Sequence, residues 1–163
     1  MKAFDPLGAL RSLLSHGVDF VLIGGLAARL HGSPTVTDDL DLSHAKERAN
    51  LEHLAAALTE MNAYLRLPDP DERLDVTLDW RLLAAADNFT FATDFGPLDC
   101  LARPAGIDSY EELKRGATTM DLGDAEIRVA SIDDLIRMKH AAGRRKDLIE
   151  LEILAALKEE VEQ

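Results

Sequence analysis

Aromatic residues are scarce, with Phe, Trp and Tyr at 5 % of the 163 residues, so a core must be built mostly from Leu, Ala, Val and Ile. The single cysteine, Cys100, excludes an internal disulfide and reads as a small core residue in a reducing compartment. No apolar run approaches the roughly 18 residues that a membrane helix needs. The opening MKAFDPLGAL lacks the apolar centre of a secretion signal. The expectation is a cytoplasmic protein with no membrane partner. Positive charge is also short: 18 Lys and Arg face 30 Asp and Glu, for a formal net charge of -12. Phosphate binding draws on clustered Lys and Arg, so indiscriminate adhesion to nucleic acid is excluded and any such contact has to be local.

What is present is 47 % hydrophobic content, enough for one sizeable core, and the length predicts one domain over 1–163. Leu7, Leu10, Leu13 and Leu14 lie at helical spacing and predict a helix over 6–16, closed by Gly17. Phe20–Ile23 is a continuous apolar run ended by two glycines, the pattern of a central strand buried on both faces. A short helix over 26–30 follows, which Ser33-Pro34 forbids from continuing, and then a strand over 35–42. A stripe of Leu51, Leu54, Ala55 and Leu58 predicts a covering helix over 45–61, and the charged, breaker-rich 67–74 predicts an exposed loop. After a short helix over 80–86, two apolar-rich runs flank Gly96-Pro97 as a hairpin. A helix over 110–115 precedes a second hairpin turning at Gly123-Asp124. Ser131 with Asp134 has the spacing of a capping box and opens the helix Ile132–Ala142. Beyond Gly143 a last helix carries Leu148, Leu151, Ile153, Leu154 and Leu157 in one stripe. The class is therefore α/β (α+β), with a core over about 18–130 and C-terminal helices over about 131–161.

Chemistry is most visible between Val21 and Leu42. Asp39 and Asp41 alternate with Leu40 and Leu42, so a strand sends both carboxylates to one face, where they can share a metal. Acids are depleted in strands, although a solvated strand edge would also carry them. Asp38 falls on the opposite face, as an exposed or capping residue. Gly24 and Gly25 let a backbone approach a ligand, and the helix after them aims free N–H groups at an anion. The same glycines would equally serve close strand–helix packing, or a dinucleotide fold whose G-x-G-x-x-G spacing is absent here. Asp99 sits on the second hairpin arm, off the face of Leu98 and Cys100, and is either a third site acid or a surface acid. The window 135–146 holds Arg137, Lys139, His140, Arg144, Arg145 and Lys146 and no acid. Cations at a helix C-terminus account for Lys139 and His140 but not for the later three, which points to a phosphate-facing or RNA-facing patch. His16, His31, His44, His53 and His140 have no metal-ligand spacing among themselves.

The double glycine, the G-x-x-x-x-T-x-D-x-D run from Gly32 to Asp41 and the late KHAAGRRKDL segment together resemble nucleotidyltransferase-fold toxins. The group is the AbiEii-like and MenT-like one, from bacterial type IV toxin–antitoxin systems, and the likeness extends over nearly the whole chain. It implies a nucleotidyltransferase-type mixed β-sheet with flanking helices and a helical C-terminal segment. It implies an enzyme that transfers a nucleoside monophosphate from an NTP to the 3' end of tRNA, using Mg2+ or Mn2+ and restrained by a cognate antitoxin. Carried over by position, Gly24 and Gly25 match the phosphate-binding glycines and Asp39, Asp41 and Asp99 the metal-binding and catalytic acids. Lys139 matches a lysine that contacts the nucleotide phosphates, Asp147 the acid that accompanies it, and Lys146 a further nucleotide contact. Three positions depart from the pattern. Gly25 stands where many members have serine, Thr35 where many have arginine, and Glu150 where a second late aspartate is expected. Two other readings share the fold: a nucleotidyltransferase acting on a small molecule such as an antibiotic, and a catalytically silent nucleotide-binding or interaction module.

Overall fold

A computed structural model describes residues 3–162, apart from the side chain of Lys146. In chain order the elements are α1 (Pro6–Ser15), β1 (Phe20–Ile23), α2 (Gly24–Leu30), β2 (Leu40–His44), α3 (Arg48–Glu60), β3 (Tyr64–Leu65), α4 (Trp80–Ala84), β4 (Asn88–Thr93), β5 (Gly96–Leu101), α5 (Tyr110–Gly116), β6 (Thr118–Asp121), β7 (Glu126–Val129), α6 (Ile132–Ala142) and α7 (Arg145–Glu162). The strands form one 7-stranded sheet in the order β3-β4-β5-β2-β1-β7-β6. Strand β1 is antiparallel to β2 and parallel to β7, while β2 is parallel to β5, so the sheet is mixed.

The apolar pattern explains the placement. All four residues of β1 are buried, as a strand covered on both faces must be. Leu40 and Leu42 of β2 are fully buried, and Leu98 and Cys100 stand opposite them on β5. Helix α3 lays Leu51, Leu54 and Leu58 into the core and packs on α1 and α4. Helix α2 packs on β1, β2 and α6, and α6 packs on α7. Polar residues set the helix starts. Asp5 Oδ1 accepts from Gly8 N–H at 3.0 Å at the head of α1, Ser109 Oγ from Glu112 N–H at 3.2 Å at α5, and Ser131 Oγ from Asp134 N–H at 3.1 Å at α6. Such caps each contribute about 1 kcal/mol. Helix α6 closes at Gly143, whose φ of 62 is the left-handed conformation that glycine adopts freely.

Several boundaries differ from expectation for local reasons. The acid-bearing strand runs Leu40–His44 instead of 35–42, because β1 offers four residues, Phe20 to Ile23, and these pair with His44 to Asp41. Residues 35–39 have no strand to pair with and form a loop, so Asp39 precedes the strand. Helix α2 begins at Gly24, so both glycines form its first turn. Helix α3 begins at Arg48, three residues late, because the Ala45 N–H still bonds to Asp19 O at 3.2 Å beside β1. The first hairpin turns at Asp94-Phe95 instead of Gly96-Pro97. Thr93 Oγ1 donates to Gly96 O at 2.8 Å and accepts from Phe95 N–H at 3.0 Å, which closes the turn two residues early. On α7, Leu148 is 59 % exposed, since Asp147 takes the inward position beside it.

Candidate active site

Three pieces of the sheet converge on one place. Ile23, the last residue of β1, is the register partner of Asp41, and Asp41 in turn is the register partner of Asp99 on β5. Gly24 follows at once, with a φ of +74, and a Cβ there would overlap the Asp41 carboxylate. Glycine is therefore required twice at this position, by the backbone and by the space. Asp39 hangs at the start of β2, where Thr37 Oγ1 donates to its Oδ1 at 3.1 Å and its backbone O at 3.2 Å. One carboxylate oxygen each from Asp39, Asp41 and Asp99 lies within 4.8 Å of the others.

This crowding has electrostatic consequences. The pKa of Asp41 is pushed up to about 8, first by burial, then by the charge of Asp39 and by Asp99 beside it, with Lys139 pulling the other way. Asp99 Oδ1 is buried without a hydrogen-bond partner among the described residues. Three converging carboxylates, one with an unpartnered buried oxygen, form an all-oxygen donor set that suits a hard divalent cation. Burial pushes the nearby Cys100 thiol far up, so it is an inert core group.

The facing wall comes from α6 and α7. Lys139 Nζ lies 3.2 Å from Asp147 Oδ1, and Arg144 Nε donates to Asp147 Oδ2 at 2.9 Å. Asp147 also accepts the Arg144 backbone N–H at 3.2 Å, the return half of a capping box at the start of α7. Its side chain is 1 % exposed. Burial alone would raise its pKa, yet the hydrogen bonds from Arg144 and Lys139 outweigh that and hold it below the ordinary carboxylate value. The loop before α5 closes one side. A Cβ on Gly106 would stand 2.5 Å from Arg137 O, so this loop lies directly on the backbone of α6.

The walls enclose a cleft of about 650 Å3. Gly24, Gly25, Asp39, Asp41, Asp99 and Lys139 all line it, as does the exposed Asp38. Asp147 stands behind the wall and holds Lys139 and Arg144, while the Lys146 side chain lies outside the described residues. Sequence reasoning assigns no site role to Thr37, or to the apolar lining of Leu101, Pro104 and Met138. Arg144 is legible as part of a basic run, and its spacing of three from Asp147 is the signal that it turns inward. The acid-free window is closed by acids at its two ends, for Arg137 pairs with Asp134 at 2.5 Å and Lys139 and Arg144 pair with Asp147. Glu150 also lines the cleft, and its Oε2 is buried without a partner among the described residues. The histidines lie elsewhere: His44 is buried near the far end of β2, and His31 Nε2 meets Ala130 O at 2.8 Å.

No protein-family model and no curated protein matches the chain. Solved structures match at low identity. The lincosamide antibiotic adenylyltransferase LnuA, with lincomycin bound, is similar at a TM-score of 0.62 and 12 % identity, over 96 % of this chain and 99 % of that one. The antibiotic-resistance factor ANT(2'')-Ia is similar at 0.56 and 18 % identity, over 93 % and 83 %. A Thermotoga maritima protein provisionally described as a nucleotidyltransferase is similar at 0.52 and 13 % identity, over 99 % and 96 %. Together with the seven-stranded mixed sheet and its flanking helices, these likenesses show that the chain has the nucleotidyltransferase fold.

Proposed function

We propose that the protein is a divalent-metal-dependent nucleotidyltransferase that moves a nucleoside monophosphate from an NTP to an acceptor hydroxyl. The observation that carries this reading is the convergence of Asp39, Asp41 and Asp99 within 4.8 Å, in the same cleft as the Gly24-Gly25 turn and Lys139. Asp39, Asp41 and Asp99 would hold Mg2+ or Mn2+, which neutralises charge on the attacking and leaving oxygens. The turn at Gly24-Gly25 offers backbone N–H groups to the triphosphate, and Lys139, held by Asp147, brings a point charge to it. The acceptor oxygen attacks the α-phosphorus as the bond to the bridging oxygen breaks, and pyrophosphate leaves. The hydroxyl proton passes to a carboxylate, for which Asp99 is placed beside Asp41.

The acceptor in this reading is the 3' end of tRNA, with a cognate antitoxin as restraint. Its support is the sequence resemblance and the run Arg144, Arg145 and Lys146, of which Arg144 opens on the cleft and is 57 % exposed. A second reading, a small-molecule acceptor, also has an observation in its favour. The cleft is lined by Asp38, Asp39, Asp41, Asp99 and Glu150 against Lys139 and Arg144, so beyond the acids given to the metal it offers few cations to a polynucleotide backbone. ANT(2'')-Ia has been solved with adenylyl-2''-tobramycin. The deciding experiment incubates the protein with labelled NTPs, Mg2+ and total RNA. Label on tRNA-sized species that disappears after oxidation of their 3' hydroxyl supports the tRNA reading. Label on no RNA, with metal binding intact, favours the small-molecule reading.

A further inference from the structure

We propose that Thr37 and Gly25 form a matched pair in which Thr37 is the positioning residue for Asp39, and Gly25 is glycine so that Thr37 can stand there. The inference rests on the metal-dependent reading above and concerns how that metal site is held in shape. Asp39 precedes β2, so no ladder fixes its backbone, and a carboxylate on a loop swings unless something holds it. Thr37 does so from two residues away. Its single hydroxyl proton is shared between Asp39 Oδ1 at 3.1 Å and Asp39 O at 3.2 Å, a donation that sets the carboxylate plane and stiffens the loop together.

The position of Thr37 is set in turn by the glycine turn. A Cβ built on Gly25 would lie 3.0 Å from Thr37 Cβ and 3.1 Å from Thr37 Oγ1, tighter than ordinary van der Waals contact. Thr37 thus occupies the volume that a side chain at position 25 would take. Gly25 has no positive φ, so its backbone does not itself demand glycine, and the three atoms nearest to an added Cβ all belong to Thr37. The hydroxyl facing the phosphate-binding turn is delivered from the α2–β2 loop instead of from the turn itself. One side chain thereby joins the arm that holds the metal to the turn that meets the phosphates.

The test reads Mn2+ affinity of the nucleotide-free protein by electron paramagnetic resonance, with thermal unfolding alongside. Thr37→Val keeps the shape and removes the donor, and it should weaken Mn2+ binding about tenfold or more, in the range for an outer hydrogen-bond partner of a metal ligand. Thr37→Ser keeps the donor and should bind within about threefold of the parent. Gly25→Ala should also weaken Mn2+ binding and lower Tm. In a Thr37→Gly background the same Gly25→Ala change should leave Tm unchanged or raised, since alanine is the better helix former once the clash is gone. Equal Mn2+ affinity in Thr37→Val and parent overturns the positioning role, and a Gly25→Ala cost that persists without Thr37 overturns the pairing. Asp39→Asn separates the two levels. If it too leaves Mn2+ binding unchanged, the metal assignment itself fails, whereas abolished binding in Asp39→Asn beside normal binding in Thr37→Val removes the Thr37 proposal alone.

Discussion

Asp41 is the residue on which most of the site chemistry turns. With its pKa raised from 3.8 to about 8, the folded protein keeps a proton that the unfolded chain releases between those values. The metal-free protein should therefore lose stability as pH rises through that window, the reverse of a salt-bridged carboxylate. A divalent cation displaces this proton, so Mn2+ affinity should climb with pH up to about 8, by as much as tenfold per unit. Titration calorimetry at pH 6, 7 and 8 in buffers of different ionisation enthalpy measures both the affinity and the proton released, and a flat profile without proton release would show Asp41 already ionised. Asp39→Asn or Asp41→Asn should lower nucleotidyl transfer by at least about 100-fold with the fold intact, since even outer partners of metal ligands cost roughly 10- to 100-fold. The same variants should lose the thermal protection that NTP with Mg2+ gives the parent; near-parental turnover in either would remove these carboxylates from the metal site.

Among elements, the α6–α7 corner turns a buried acid into a tool for positioning cations. Asp147 caps α7 and fixes both Lys139 and Arg144, so Asp147→Ala should lower stability by about 2 kcal/mol through removal of charge-assisted hydrogen bonds. It should also raise the NTP concentration needed for half-maximal rate. Lys139→Ala should raise that concentration at least about tenfold. A point charge about 4 Å from a phosphate has a gross Coulomb term of about 4 kcal/mol at an effective dielectric near 20, of which desolvation removes a large part. Steady-state kinetics check both, and an unchanged NTP dependence in Lys139→Ala would leave this lysine a structural partner of Asp147. These elements also show what is legible in a sequence. Helix α6 is readable to its ends, because Ser131 and Gly143 punctuate it and its apolar spacing is helical. Alternation with leucines makes the cleft-facing side of Asp41 readable, whereas Asp39 reaches the cleft from the loop before β2 and not from the strand that alternation predicts. The start of β2 is not readable, since strand length is decided by the four residues that β1 offers, and nothing in residues 35–39 records that limit. The inward turn of Asp147 is legible only through the resemblance that puts it beside Lys139, because a charged residue on an amphipathic helix is ordinarily assigned to solvent.

At the scale of the whole molecule, net charge and local charge pull apart. A chain of -12 can hold RNA only where cations outnumber acids, so Arg145→Ala with Lys146→Ala should weaken RNA acceptor binding. The log–log salt slope should flatten by somewhat under one unit for each phosphate no longer neutralised, while NTP binding survives. Filter binding across a salt series measures this, and an unchanged slope would place the RNA elsewhere or favour the small acceptor. The parallel pairing of Asp41 with Asp99 also bears on how the chain acquires its shape. The β4–β5 hairpin and the β6–β7 hairpin close over short loops, whereas β2 meets β5 only across the whole stretch from residue 44 to residue 96. Non-local parallel pairing is slow because loop-closure entropy comes before any reward. The three candidate carboxylates are therefore expected to come together late in folding, so that the cation of the proposed site would meet a nearly finished protein. Stopped-flow refolding should run at the same rate with and without Mn2+, whereas unfolding should slow in proportion to metal occupancy. The bound cation would act as a latch on a molecule already folded, and never as its nucleus.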